Sequence, residues 1–405
     1  MFNNLPLLSL RYSRVLLLVL LAMSFGVRTL WLDYPGRVAI LDEGYYLSSA
    51  HNILGLEQLP GNPYPYARPG LDPLIEHPIG GKLLIALSIR LLGDTPYAWR
   101  LPSAAVGTAV IWLVYLLAHR LTRRRGLSLA AATFTALDPM MLVNSRIAML
   151  EIFVSALILA ALYFYVRRLP VLAGVASALA VCVKLTGVSA ILCVVAFETM
   201  RTLRHRILAR RWNVTRLRSL FVAIGVCAVS VPLLLWAFNS RASLFPNPFD
   251  NLRYMYTHLA ATFTFRPPEA VVVPQSRPWE WLLNVREIPY LSQGVLHLRG
   301  LYNPFLVFAF VPVVAWAAWL AARRGGSAAL MVLAIVGGCY LPLVAGSLLV
   351  PRPAYLYYFL PVIPALAIGL AALGASLRVP RAVKAGYLAA AAVAFVYYFP
   401  FRGWP

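Results

Sequence analysis

Acidic side chains are scarce: 14 aspartates and glutamates in 405 residues, against 36 lysines and arginines. Charged residues of both signs make up only 12% of the chain, about half of what a soluble domain carries. That shortage, with 61% hydrophobic residues and a mean hydropathy of +0.74, excludes a soluble globule and leaves no soluble domain of any size. Cysteine is equally sparse. Cys182, Cys193, Cys227 and Cys339 all lie inside apolar runs without metal-ligand spacing, so they read as small hydrophobes and say nothing about redox compartment. A phosphate-cradling Walker loop, an HExxH pair and a dinucleotide glycine pattern are all missing.

What is present is a series of apolar runs near the length that crosses a bilayer, about 20 residues. They predict an all-α polytopic membrane protein; a barrel needs short alternating segments instead. About eleven spans are expected: Val15 to Trp31, Leu101 to Leu117, Leu127 to Val143, Ile147 to Val166, Val171 to Val183, Val188 to Met200, Leu220 to Phe238, Leu301 to Ala321, Ala328 to Val350, Ala354 to Leu377, and a last one ending near Phe399. The first is read as a retained helix, since Arg11 and Arg14 precede it and no small-residue cleavage signal follows. Residues 1–405 form one transmembrane domain on this reading. Its two long outer loops are 33–99 and 239–300. Leu83 to Leu92 is apolar but too short to span, and predicts an interfacial helix.

The net charge of +22 does not indicate nucleic acid, because the cations fall in short clusters between spans. That is the positive-inside pattern, and it places the N-terminus in the cytoplasm and the C-terminus outside. Among the acids only Glu198 falls at the inner face. The outer face collects the other acids with arginines, tryptophans and tyrosines, which retention signals do not explain. The chemistry is therefore expected on the extracytoplasmic side. Arginine-rich, lysine-poor and alanine-rich composition suggests a prokaryotic plasma membrane.

The organising stretch is Leu41-Asp42-Glu43-Gly44-Tyr45-Tyr46, two carboxylates and two tyrosines just past the first span. Locally it also reads as a helix cap and an acidic first turn. A carboxylate can take a proton from an attacking hydroxyl. Cations can hold a phosphate through charge-assisted hydrogen bonds. Arg100, Arg146, Lys184 and Arg352 sit at outer ends of spans, where ionisable groups are costly and tend to be paired or functional, although snorkelling to headgroups explains each singly. Together these groups suit glycosyl transfer from a lipid-linked sugar phosphate. The leaving group there is already an anion, so one base suffices. A hydrolase of the inverting kind needs two carboxyls. His77 and Lys82 are further polar candidates. Trp279, Glu280 and Trp281 suit either an interfacial aromatic belt or a sugar or polyprenyl groove. A transporter or flippase of lipid-linked substrates is the alternative from another class, but it calls for internal repeats and mid-membrane charges.

The chain resembles the GT-C glycosyltransferases, specifically the protein O-mannosyltransferase family of prokaryotic type. The resemblance rests on Leu41-Asp42-Glu43-Gly44-Tyr45-Tyr46, His77-Pro78-Ile79-Gly80-Gly81-Lys82, Arg100-Leu101-Pro102, Ser145-Arg146-Ile147-Ala148-Met149-Leu150-Glu151, Lys184-Leu185-Thr186-Gly187, Arg277-Pro278-Trp279-Glu280-Trp281 and Tyr358-Phe359-Leu360-Pro361, in the family's order along almost the whole chain. It implies the GT-C fold, Asp42 as the acceptor-activating base, Glu43 as its acidic neighbour near the acceptor, and Arg100 on the donor phosphate. Arg146, Lys184 and Arg352 extend that phosphate set by position alone. Tyr45, Tyr46, His77, Lys82, Trp279, Glu280, Trp281 and Tyr358 are expected to line the substrate site or its loops. The implied partners are a polyprenyl- or dolichyl-phosphate sugar, most often mannose, and an acceptor hydroxyl on Ser/Thr of exported proteins. Transfer inverts the anomeric centre with no metal or other cofactor. Ile79 stands where the family often has proline, and Glu151 where relatives often show Asp. The second outer loop is too short for the soluble sugar-binding domain of eukaryotic members. A lipid or cell-envelope glycan therefore stays open as the acceptor.

Overall fold

The computed structural model describes residues 10–209, 213–262, 276–323, 325–349 and 354–401. Helix α1 (Leu10–Thr29) is a lipid-length apolar rod, and it leads into the first long loop. That loop carries two short helices, α2 (Glu43–Leu54) and α3 (Gly80–Leu92), of 12 and 13 residues. Neither is long enough to cross a bilayer, as the interfacial reading of Leu83 to Leu92 expects. The chain then enters α4 (Pro96–Thr122), which starts a full turn before the expected Leu101 because Thr95 caps it and Pro96 suits its first position.

Next come α5 (Arg125–Ala136), α6 (Pro139–Asn144), α7 (Glu151–Val166) and α8 (Pro170–Val183). A 3-10 turn over Leu185–Val188 leads into α9 (Ser189–Ala209), followed by α10 (Val214–Ala242) and α11 (Pro248–Thr262). Short α12 (Pro278–Trp281) precedes strands β1 (Ile288–Gln293) and β2 (Leu296–Gly300). The remaining helices are α13 (Pro304–Val307), α14 (Phe310–Arg323), α15 (Ser327–Ile335), α16 (Leu341–Leu349), α17 (Ile363–Ser376) and α18 (Arg381–Tyr397), with a π turn joining α15 to α16 and a 3-10 turn, Leu356–Val362, before α17.

Among the described residues seven helical passes are long and apolar enough to cross a membrane. The other expected spans fall on α5, α7, α8 and α18, which run 12, 16, 14 and 17 residues. Helix interruptions at Leu137–Asp138 and at Lys184 divide apolar stretches that look continuous in sequence. The all-α membrane fold expected from the sequence is the one observed, with one small addition. The loop at 239–300 holds an antiparallel hairpin, with Ile288 opposite Gly300 and Gln293 opposite Leu296. Burial alternates along β2, the period-two signature of a strand with one covered face.

The bundle packs α8 between α7 and α10, α4 against α5 and α7, and α17 against α5. Small residues allow this closeness, as in membrane bundles generally. At Gly174 a β-carbon would lie 2.6 Å from the Ala223 carbonyl, so α8 and α10 can meet only with glycine there. Glycines also set α3 against the bundle. A β-carbon at Gly81 would lie 2.5 Å from Leu150, and one at Gly80 would lie 2.6 Å from the Cys182 carbonyl.

Candidate active site

The Asp42–Glu43 pair sits where α1's exit loop turns into α2. Leu41 adopts φ +52°, a left-handed conformation that costs a branched residue free energy and is held by its surroundings. Successive residues at a helix start point about 100° apart, so the two carboxylates diverge. Glu43 turns inward and is fully buried. Its Oε1 accepts from Arg100 Nε (2.9 Å) and from the Ala148 amide (2.9 Å); its Oε2 accepts from Arg100 NH2 (2.9 Å) and from the Ile40 amide (2.9 Å). Asp42 stays partly exposed and makes no side-chain cap, so the local capping role is unfilled. Its Oδ2 accepts from the Tyr357 hydroxyl at 3.3 Å.

Two site expectations need correcting here. Glu43 has no lone pair left to serve an acceptor, because four donors surround it. Arg100 cannot hold a donor phosphate. Besides its bonds to Glu43, its NH1 donates to the Leu32 and Tyr34 carbonyls (3.1 Å each) and its NH2 to Val38 O (3.0 Å). A guanidinium has five N–H donors, and all five are spent inside the protein. Glu43 and Arg100 are the clasp that folds the loop carrying Asp42.

Arg146 is likewise misassigned as a phosphate ligand. Its NH1 donates to Val27 O (2.8 Å) and Arg28 O (3.1 Å), and its NH2 to Leu30 O (2.6 Å) and Trp31 O (3.3 Å). Two of these carbonyls belong to the last turn of α1 and two to the turn that follows it, where a cation also meets the negative pole of the helix. The guanidinium lies 5.0 Å from the Phe401 ring centre as well. Arg352 lies outside the described residues.

Lys184 is the expected cation that reaches the neighbourhood of Asp42. It terminates α8, is buried, and donates to Glu151 Oε1 at 2.5 Å. Its Nζ sits 5.6 and 5.7 Å from the Tyr357 and Tyr358 ring centres, within cation–π range. Burial pushes the Asp42 carboxyl above its ordinary range, Lys184 draws it back, and Glu151 adds to the rise. That is how an aspartate gains basicity while keeping a cation close.

Beside this group opens a cavity of about 170 Å³, walled by Glu151, Tyr357 and Tyr358 at its polar end and by Val154, Leu192 and Leu343 farther along. Glu151 Oε2 is buried and has no hydrogen-bond partner among the described residues. Sequence reasoning left out Tyr357, and it named Glu151 only as part of a family motif, without a role at the site. The tyrosine cluster at Tyr355, Tyr357 and Tyr358 was the available signal for the first, and a lone acid opening an apolar helix was the signal for the second.

The other expected residues divide. Tyr46 is buried on α2 with its ring 6.3 Å from that of His77, while Tyr45 faces outward against Tyr64. Burial, with Lys184 and Lys82 nearby, holds the His77 imidazole well below its ordinary pKa, so it is neutral at pH 7. Trp281 is core: its Nε1 donates to Ser276 Oγ (2.8 Å) and its ring packs 6.4 Å from Phe359. Trp279 is 38% exposed under Arg277, and Glu280 accepts from the Arg277 amide. Among the described residues none of the three bonds to Asp42, and the structure gives them the role of a loop anchor rather than the expected place at the substrate.

Lys82 is structural too. It is fully buried, ion-paired to Asp72, and donates to Leu74 O (2.5 Å) and His77 O (2.9 Å). Asp72 in turn accepts from Ser49 and from the Leu74 amide, tying the loop between α2 and α3 together. Lys82→Met alone is expected to cost about 3–5 kcal/mol, because it strands a buried carboxylate. Adding Asp72→Asn should recover most of that loss in thermal unfolding of the detergent-purified protein.

Comparison with known proteins agrees with this architecture. The profile of the family described as dolichyl-phosphate-mannose-protein mannosyltransferase matches residues 76–236. A polyprenol-phosphate-mannose–protein mannosyltransferase of Corynebacterium glutamicum is 26% identical over 400 residues, covering 80% of this chain and 75% of the relative. The Saccharomyces cerevisiae protein O-mannosyltransferase Pmt1–Pmt2 complex, solved with its sugar donor, superposes with TM-score 0.76 at 12% identity, covering 96% of this chain and 90% of that one. ArnT of Cupriavidus metallidurans bound to undecaprenyl phosphate gives TM-score 0.57 at 19% identity, with coverages of 94% and 69%. Fold and relatives together define an integral membrane glycosyltransferase of the GT-C fold. Within that class the chain is related to the protein O-mannosyltransferases.

Proposed function

We propose that the chain transfers mannose from a polyprenyl-phosphate donor to a hydroxyl, most simply of Ser/Thr in exported protein, at the extracytoplasmic face of a prokaryotic plasma membrane. The observation that carries the reading is Asp42. It is a partly exposed carboxylate with raised basicity, bonded to Tyr357 at 3.3 Å, beside a cavity whose far wall is apolar. The cavity suits a lipid phosphate with its sugar toward Glu151 and its chain along Val154 and Leu343.

In this reading Asp42 takes the proton of the acceptor hydroxyl. The acceptor oxygen bonds to the anomeric carbon from the face opposite the phosphate. The carbon–oxygen bond to phosphate breaks, and the electron pair leaves with the polyprenyl phosphate. Lys184 compensates that charge, so the step calls for no metal. Glu151 Oε2, without a hydrogen-bond partner among the described residues, can accept from a sugar hydroxyl. The named relatives support the donor and the protein acceptor.

The test is transfer of label. Purified protein in nanodiscs, given radiolabelled polyprenyl-phosphate mannose and a Ser/Thr-rich peptide, should label the peptide. Label on lipid or glycan alone would move the acceptor to those classes, and no transfer to anything would end the proposal. Lys184→Gln should weaken donor binding about tenfold, the worth of one charge-assisted contact, as read by donor titration.

A further inference from the structure

At the opposite end of the bundle from Asp42 lies a second, polar cavity of about 320 Å³, walled by the end of α7, the start of α8, the middle of α9 and the start of α10. From Glu151 to Tyr165 along α7 it is about 21 Å away, at 1.5 Å per residue. Arg168, Arg201 and Arg216 line it against a single carboxylate, Glu198. That carboxylate is already engaged. Its Oε2 accepts from Arg201 NH1 (2.9 Å) and its Oε1 from Thr202 Oγ1 (3.3 Å), with Arg216 Nε at 4.0 Å. The site therefore keeps an excess of positive charge.

Two further features point to a ligand. Tyr165 is 5% exposed and lines the cavity beside the Glu198 carboxylate, with no well-aligned hydrogen bond from its hydroxyl among the described residues. A buried hydroxyl left unpaired costs free energy, which a bound acceptor would recover. The N-terminus of α10, capped by Asn213 on the Arg216 amide (3.1 Å), opens on the same cavity and adds the positive end of a helix dipole. Exposed apolar side chains stand next in sequence to lining residues: Leu169 and Val171 flank Pro170, and Val214 lies between Asn213 and Thr215. An anion with an attached apolar chain fits that combination of surfaces.

We propose that this cavity is a binding site for a phosphate group, carried in by the headgroup of an anionic membrane lipid and held by Arg168, Arg216 and the Tyr165 hydroxyl. It is separate from the transfer site and does not depend on the function assigned there. The probes are dioctanoyl phosphatidylglycerol, neutral dioctanoylglycerol and inorganic phosphate. Each is titrated onto the full-length protein in an uncharged detergent, with thermal stabilisation as the readout.

Saturable stabilisation by phosphatidylglycerol is expected. Arg168→Gln or Arg216→Gln should weaken it about tenfold, the worth of one charge-assisted hydrogen bond. Tyr165→Phe, which removes the hydroxyl and keeps the ring, should weaken it a few-fold. Equal saturation by inorganic phosphate, with the same losses, supports the phosphate site and makes a free anion its source. Stabilisation unchanged in all three variants, or matched by neutral dioctanoylglycerol, overturns the proposal.

Discussion

Asp42→Asn is expected to lower sugar transfer by about 10²–10⁴-fold, the range general-base catalysis supplies, while leaving donor binding within a few-fold of wild type. Asparagine keeps the shape and can still accept from Tyr357, but it takes no proton. The fold should not suffer. Burial raises the Asp42 pKa, so its protonated form suits the folded state better than its charged form. Stability from that group is present at low pH and lost as pH rises through the raised pKa. The variant should therefore be no less stable than wild type at neutral pH, and its relative advantage should grow as pH rises across that window. Wild-type transfer should rise over the same window as the base ionises. Matched melting and rate profiles of the two proteins against pH test both halves of this expectation.

Arg100→Ala is expected to abolish transfer by a different route. It strands Glu43, fully buried, with two of its four donors gone, and releases the Leu32, Tyr34 and Val38 carbonyls. Removing one partner of a buried pair costs about 3–5 kcal/mol. The loop that presents Asp42 should lose its shape, seen as a lowered melting temperature and faster amide exchange over residues 30–43. Arg100→Lys should rescue little, because a lysine cannot reproduce five donors in a planar fork. If Arg100 instead held the donor phosphate, Arg100→Ala would raise the donor dissociation constant and leave melting unchanged.

The contrast between these residues shows what sequence could reveal. Acid scarcity made the Asp42–Glu43 pair visible, and apolar run lengths made the order of the helices visible. Which of two neighbouring carboxylates faces the cavity depends on the backbone at Leu41 and on four donors from distant segments, including Ala148 and Arg100. No local pattern encodes that. Arginines at outer ends of spans look alike in sequence whether they meet a phosphate or the loose carbonyls of a helix end. Arg100 and Arg146 meet carbonyls inside the fold. Lys184, with one pairing to Glu151 and two aromatic faces, lies beside Asp42 instead. Tyr357 escaped notice because its role depends on a turn between α16 and α17 that returns it to a loop more than 300 residues earlier in the chain. The β1–β2 hairpin escaped because its strands are short and partly polar.

The most direct measurement is a single turnover. Wild type and Asp42→Asn are loaded to equal occupancy with radiolabelled polyprenyl-phosphate mannose, mixed with Ser/Thr-rich peptide, and quenched over time. If Asp42 is the base of a polyprenyl-phosphate mannosyl transfer, label leaves the donor and appears on peptide in the wild type, and stays on the bound donor in the variant. Equal transfer by both proteins would contradict the central assignment of Asp42, and a wild type that binds no donor would contradict the assignment of the substrate.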